Sequence, residues 1–193
     1  MHTASDRELI LSLQKGELEA LGALYDRHHK RVFRTALGIT GDTDSANDLL
    51  QDVFLRINRF SHRIDPDRPL EPWLYRVTTN LAYTWLNRRS RWYRYLREFG
   101  DWLIKERRPG PQKQVEHKED RLRVRQAISA LPAKQRTVVV LFYLNDLPVE
   151  EIAEILEVPE GTVKSRLYYA RRTLREQLED KPQLIPRIGY EYY

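Results

Sequence analysis

Apolar residues in this chain return at intervals of three and four, the spacing of a helix face, and seldom at intervals of two as in a strand. Leu21, Leu24, Tyr25, His28, Val32, Thr35 and Ile39 fall roughly on one stripe, and Ala46, Leu49, Leu50, Val53, Phe54 and Ile57 on a second. Leu74, Val77, Leu81 and Trp85 recur at 3, 4 and 4, and Val163, Leu167, Ala170, Leu174 and Leu178 at 4, 3, 4 and 4. No clear alternating run bounded by turns interrupts them, so the pattern predicts an all-α chain.

Polar punctuation divides these stripes. Ser5-Asp6-Arg7-Glu8 reads as a capping box opening a short helix that Gly16 ends. "GDTD" at 41–44 breaks the next helix and offers Asp42 or Thr43 as an N-cap. "SHRIDPDRPLEP" at 61–72 holds three prolines and no apolar period, which predicts a loop before a fourth helix near Trp73. "RRPGPQKQ" at 107–114 marks a linker, taken as 98–120. The expected organisation is two small helical domains, 1–97 and 121–179, and a tail, 180–193, expected to be a frayed or surface-packed terminus. The second domain should contain a helix ending near Ala130, then helices over 132–144, from 148 to about 157, and through "VPEGTVKSRLYYARRTL" at 158–174.

Composition removes whole classes of chemistry. The 193 residues include no cysteine, which excludes disulfides, thiol catalysis and thiolate metal sites. His28 and His29 are about 100° apart on a helix, and the other histidines are scattered, so no metal site is expected. "DTDSAND" begins like a calcium loop but has Asn47 and Val53 where that loop needs Gly and Glu. Neither a phosphate-cradling glycine loop nor a serine elbow occurs, and no catalytic residue or cofactor is expected. "MHTASDRELI" has neither a charged leader nor an apolar run, and no window approaches a membrane span, so a cytoplasmic protein without membrane insertion is expected.

The formal net charge of +5 acquires meaning from its clustering. Residues 161–175 carry Lys164, Arg166, Arg171, Arg172 and Arg175 and no acid; residues 85–97 carry Arg88, Arg89, Arg91, Arg94 and Arg97 and no acid. Opposite its apolar stripe, the fourth helix presents Arg76, Asn80, Tyr83, Thr84, Asn87, Arg88 and Arg91. Guanidinium groups neutralise phosphates and flat rings stack on exposed bases, so this face suits nucleic acid, although an ordinary solvated face has the same composition.

The last two helices, joined by the short turn "LEVPEG", suggest a helix-turn-helix whose second helix enters the major groove. With its apolar stripe buried, that helix turns Gly161, Lys164, Ser165, Tyr168 and Arg172 outward. Lys164 and Ser165 can donate to base edges, while Thr162, Arg166, Arg171 and Arg175 are placed to flank phosphates. Residues 146–160 carry six carboxylates and no basic residue, so the first helix should turn much of its charge to solvent or a protein partner. A plain helical hairpin with segregated charge remains the alternative.

Together these residues resemble a known family. "ALPAKQRTVVVLFYLNDLPVEEIAEILEVPEGTVKSRLYYARRTLRE" at 130–176 is similar to region 4 of bacterial RNA polymerase sigma factors; "ANDLLQDVFLRI" at 46–57 and "PWLYRVTTNLAYTWLNRRSRW" at 72–92 resemble region 2. The order, the short separation and the lack of a further domain resemble the extracytoplasmic-function (ECF) group, over about residues 5–178. The resemblance implies that the last helix reads the minus thirty-five promoter element, with Lys164, Ser165, Tyr168 and Tyr169 at base edges and Arg166, Arg171 and Arg172 as anchors. It implies that Asp48, Gln51, Asp52 and Leu55 meet the clamp helices of the largest subunit of core RNA polymerase, and that the second domain meets the flap of the second subunit. Asn80, Tyr83, Thr84, Asn87 and Arg88 match the minus ten recognition helix, which takes the melted non-template strand of double-stranded promoter DNA, and the 61–71 loop matches the segment that captures a flipped base. An anti-sigma protein is the implied regulator. Glu157 departs from the family's frequent Gly at a turn where the left-handed conformation is easy. A conventional helix-turn-helix regulator without sigma activity is the competing reading, disfavoured because it needs neither region 2 surface; an all-α adaptor is a third.

Overall fold

The computed structural model describes the backbone of residues 4–99 and 116–178 and the side chains of 4–89 and 122–178. The described residues form eight α-helices and no strand: α1 (Asp6–Gln14), α2 (Glu19–Thr40), α3 (Thr43–Phe60), α4 (Leu70–Phe99), α5 (Glu116–Ala130), α6 (Ala133–Val139), α7 (Val149–Leu156) and α8 (Glu160–Gln177). The all-helical reading therefore stands. The readings of the tail and of most of the linker fall outside the described residues, but α5 starts at Glu116, inside the stretch assigned to the linker.

Local chemistry sets the ends. Ser5 and Glu8 complete the capping box, with the Glu8 side chain accepting from the Ser5 amide at 2.7 Å. Gly41 ends α2 in the left-handed region at φ 73°, and Asp42 caps α3 by accepting from the Ser45 amide at 2.9 Å. Hydrogen bonds from Ser45, side chain first and then backbone, hold the Asp42 carboxyl below its ordinary range. Because its folded-state pKa is depressed, the Asp42 carboxylate stabilises the fold above the unfolded-state pKa of about 4, and the contribution vanishes as pH falls through the folded-state value. Asp42→Ala should accordingly cost about 1 kcal/mol at neutral pH and progressively less in strong acid, measured by urea unfolding across that range.

The 61–72 segment departs from expectation. Ser61–Arg63 is a 3-10 turn, Ile64 is buried in the core, and α4 begins at Leu70, before Trp73. Pro72 is compatible with this start because the first helical turn has no use for its missing amide. The amide of Gln14 ties the segment down by donating to the Ser61 and Ile64 carbonyls at 2.9 and 3.0 Å.

Helices α1–α4 enclose one core, with Leu24, Ala36, Ile39, Val53 and Ile57 wholly buried; α5–α8 enclose another around Val138, Leu141, Ile152, Val163 and Ala170. The cores interlock. Val140 belongs to the first and Tyr75 to the second. Val140–Leu144 forms a π-helical turn after α6, where the sequence predicted one continuous helix. Gly38 of α2 lets this turn approach: a Cβ there would lie 2.9 Å from Val140 Cγ2.

Candidate nucleic-acid interface

Helix α8 buries Val163, Leu167, Ala170 and Leu174 and leaves Gly161, Lys164, Ser165, Tyr168, Tyr169 and Arg172 exposed, with Thr162, Arg166 and Arg171 half-buried. The buried face is the stripe read from sequence. Lys164 and Arg172 are held only by solvent-exposed pairs along the helix, with Glu160 at 3.2 Å and Glu176 at 3.1 Å, which are cheap to exchange for phosphate. Tyr168 and Tyr169 meet edge to face, with ring centroids 5.4 Å apart. Arg171 differs from its neighbours: it donates to the Tyr143 hydroxyl at 3.0 Å and lies over the Phe142 and Tyr143 rings, so it locks α8 onto the π turn.

The turn between α7 and α8 answers the question raised by Glu157. That residue adopts φ 54°, ψ 47°, and the chain closes a Schellman-type end, with the Val158 amide donating to the Ala153 carbonyl at 3.0 Å. The turn is the one glycine favours, built with Glu at a cost of about 1 kcal/mol.

Helix α3 presents Asp48, Gln51, Asp52 and Leu55 on one exposed face, Leu55 being 63% exposed. Carboxylates around an uncovered leucine suit a basic helical partner. Tyr25, also exposed, stacks on His29 and meets Phe54 edge-on beside this helix.

Helix α4 divides its expected nucleic-acid face. Asn80, Thr84, Asn87 and Arg88 are exposed, while the Arg91 side chain lies outside the described residues. Arg76 and Tyr83 are engaged by the second domain. Arg76 pairs with Glu157 at 3.0 Å and donates to the Glu154 carbonyl at 2.8 Å; Tyr83 is half-buried beside Thr137. Burial pushes the Tyr83 hydroxyl pKa upward, opposed by Thr137 and by the charge of Arg166. A cleft of about 880 Å³ separates Arg63, Arg68, Trp73 and Arg76 on one side from Asn145, Glu151 and Glu154 on the other. Part of the acidic surface of α7 is thus turned to the first domain, the partner within the chain.

Residues that fasten the domains together escaped the sequence reading. Arg136, 9% exposed, donates to the Ile39 carbonyl at 2.7 Å and to Leu131 at 3.0 Å, and also to Ser129. It serves the C-terminal carbonyls of α2 and α5, where a cation is favoured. Asn145 accepts from Thr35 at 3.2 Å and Tyr75 at 3.4 Å, and donates to the Val140 carbonyl at 3.1 Å. Nothing in local spacing distinguishes either residue from a surface polar group.

Asp6, His28 and Glu71 bring three possible ligand atoms within 4.8 Å of one another. Their chemistry is already accounted for: His28 Nε2 lies 2.8 Å from Asp6, Arg27 pairs with Asp6, and Arg31 with Glu71 at 3.3 Å. The cluster clasps α1 and α4 to α2. No helix among the described residues is long and apolar enough to cross a membrane.

Comparison with known proteins agrees with this geometry. The family model for Sigma-70 region 2 matches residues 24–92 and that for Sigma-70 region 4 matches residues 121–174. The ECF RNA polymerase sigma factor SigL of Mycobacterium tuberculosis is 35% identical over 165 residues, covering 85% of this chain and 92% of the relative. The ECF RNA polymerase sigma factor SigW of Bacillus subtilis is 29% identical over 187 residues, covering 90% and 97%. Among solved structures, CnrH in complex with the cytosolic domain of CnrY superposes with a TM-score of 0.65 at 24% identity, over 92% of this chain and 99% of that one. RpoE in complex with the anti-sigma factor NepR from Bartonella quintana gives 0.62 at 22% identity, over 88% and 99%. With both domain models matched in order and a relative aligned over nearly its whole length, the chain belongs to the ECF group of RNA polymerase sigma factors.

Proposed function

We propose that this chain binds core RNA polymerase and directs it to promoters, with α8 reading the minus thirty-five element and α4 taking the melted minus ten strand. The observation that supports this most is the division of α8, an apolar face buried in the second domain and an outward face of Lys164, Ser165, Tyr168, Tyr169 and Arg172. Base-edge donors at the start of the helix and cations further along match a major-groove reader. Asn80, Thr84, Asn87 and Arg88, joined by Arg76, Tyr83 and Arg91, supply amide, hydroxyl, aromatic and cationic groups for single-stranded DNA.

Asp48, Gln51, Asp52 and Leu55 on α3 are the surface for the polymerase clamp helices, and the second domain docks on the flap. A conventional regulator has no use for the α3 surface. An anti-sigma factor, the kind of partner named in the Bartonella quintana complex, is the expected regulator of this chain. The role is that of an initiation factor, with catalysis left to the polymerase.

Discriminating evidence comes from transcription of genomic fragments by core polymerase with and without this protein, followed by sequencing of the 5′ ends. New starts sharing two upstream elements support the proposal; none, from a core active with another sigma factor, rejects it. In the assembled polymerase, Arg172→Ala should weaken binding to all responsive promoters alike. The slope of log affinity against log salt should shrink by about 1, as for the loss of one phosphate contact.

A further inference from the structure

We propose that Arg171 is a positioning residue: it fixes the rotation of α8 about its own axis against the π turn, so that Tyr168 and Arg172 meet the minus thirty-five element in register, and it does not contact phosphate. This rests on the reading of α8 as the major-groove helix. Chain position groups Arg171 with the other cations of residues 161–175, but its partners set it apart. Its Nε–H donates to the Tyr143 hydroxyl at 3.0 Å, and its guanidinium carbon lies 5.7 Å from the centre of the Phe142 ring and 5.9 Å from that of Tyr143. Lys164 and Arg172 instead pair with carboxylates one turn away on α8 itself. Such pairs rotate with the helix and cannot set its rotation, whereas Arg171 ties α8 to a different element.

The seat for this cation is fixed. Phe142 and Tyr143 meet edge to face, with ring centroids 4.9 Å apart, and one planar guanidinium covers both. Leu141, in the same π turn, is wholly buried, and its carbonyl accepts from the Leu147 amide at 3.2 Å. Arg171, Phe142 and Tyr143 are all half-buried, and a cation over a ring is held more firmly where water is partly excluded.

Rotation matters because groups that read base edges have to be held within about 0.5 Å and 10–20°. Side-chain tips lie about 5–6 Å from a helix axis, so a turn of about 10° moves them by roughly 1 Å. The apolar stripe of Val163, Leu167, Ala170 and Leu174 holds α8 down, but apolar burial has no direction and permits a small roll. The hydrogen bond from Arg171 supplies the missing direction.

The test measures how polymerase assembled with the full chain binds a responsive promoter and single-base variants of its minus thirty-five element over a range of salt. Lysine keeps the charge and can still meet a phosphate, but it has neither the planar stack nor the fixed Nε–H. Arg171→Lys should weaken binding about tenfold, flatten the preference among the promoter variants, and leave the slope of log affinity against log salt unchanged. Tyr143→Phe removes the acceptor without changing charge and should have the same effects, with a loss of about fivefold. Both substitutions together should weaken binding no more than Arg171→Lys alone, because they break one shared contact. Thermal unfolding fixes the temperature, so that binding is read with every variant folded.

Arg171→Lys binding as tightly as the original, or Arg171→Ala lowering the salt slope by about 1, makes Arg171 a phosphate contact and overturns the proposal. Weaker binding with the preference among promoter variants intact also overturns it, since a helix out of register cannot keep its discrimination. Failure of the sigma reading has a separate signature: the original chain itself then forms no promoter-specific complex, and the role of Arg171 falls with it.

Discussion

A chain carrying Asp52→Lys and Leu55→Asp should lose affinity for core RNA polymerase by about a hundredfold or more while keeping its fold. The substitutions replace attraction to a basic partner by repulsion and remove an apolar anchor, changes that together cost about 3 kcal/mol or more at a docked charged surface. Both positions are exposed on α3, so neither substitution disturbs the core beneath. The measurement is binding of fluorescently labelled protein to core polymerase, with helicity and thermal unfolding as controls. Unchanged affinity with intact folding would place the docking surface elsewhere and remove the role assigned to Asp48, Gln51, Asp52 and Leu55.

Two neighbouring residues on α8 should behave in opposite ways. Leu167 is 2% exposed and fixes the helix to its core, whereas Tyr168 is 51% exposed. Leu167→Ala should destabilise the protein by about 2–5 kcal/mol, the cost of deleted contacts together with the cavity left behind. The deficit should register in urea unfolding as a lower midpoint for the second domain, and with it weaker promoter binding at physiological temperature. Tyr168→Ala should change stability by less than about 0.5 kcal/mol but weaken promoter binding by the assembled polymerase. A Tyr168→Ala chain that bound promoters normally would remove this tyrosine from the proposed interface without altering the account of the fold. A Leu167→Ala chain as stable as the original would contradict the packing itself.

The packing between the domains gives the alkaline limb of stability a specific origin. Burial raises the hydroxyl pKa values of Tyr75, Tyr83 and Tyr143. Tyr75 and Tyr83 both meet groups of the second domain. For an acid whose folded-state pKa is raised, the unfolded chain loses its proton first as pH rises, so stability falls above about pH 10. Ionisation of Tyr75 and Tyr83 also weakens the packing between the domains.

Elements whose signals are local in the chain were legible from the residues alone. The intervals of Val163, Leu167, Ala170 and Leu174 identify the buried face of α8 because helical geometry forces residues three and four apart onto one side. Ser5 with Glu8, and Asp42 before α3, announce helix starts because a cap needs only neighbours within one turn. Cys-free composition and the two acid-free basic stretches likewise pointed away from thiol chemistry and towards polyanions. The exposed positions of Asp48, Gln51, Asp52 and Leu55 follow from the register of the apolar stripe beside them.

Tertiary structure alone decided how these parts meet. Arg136 and the Ile39 carbonyl are separated by 97 positions, and Thr35 and Asn145 by 110, so no periodicity relates them. Ile64 reads as part of a proline-rich loop, yet the packing of α1 against the 3-10 turn buries it. Gly38 looks like a weak spot in α2 and is the point at which the π turn enters. Arg76 and Tyr83 satisfy every local requirement of a nucleic-acid face; which partner they hold depends on where the second domain rests. Helix faces follow from short-range geometry and the burial of apolar area, which sequence spacing encodes. How the two domains rest on each other depends on pairs such as Arg136 with Ile39 and Arg76 with Glu157, far apart in the chain, and only the folded arrangement carries it.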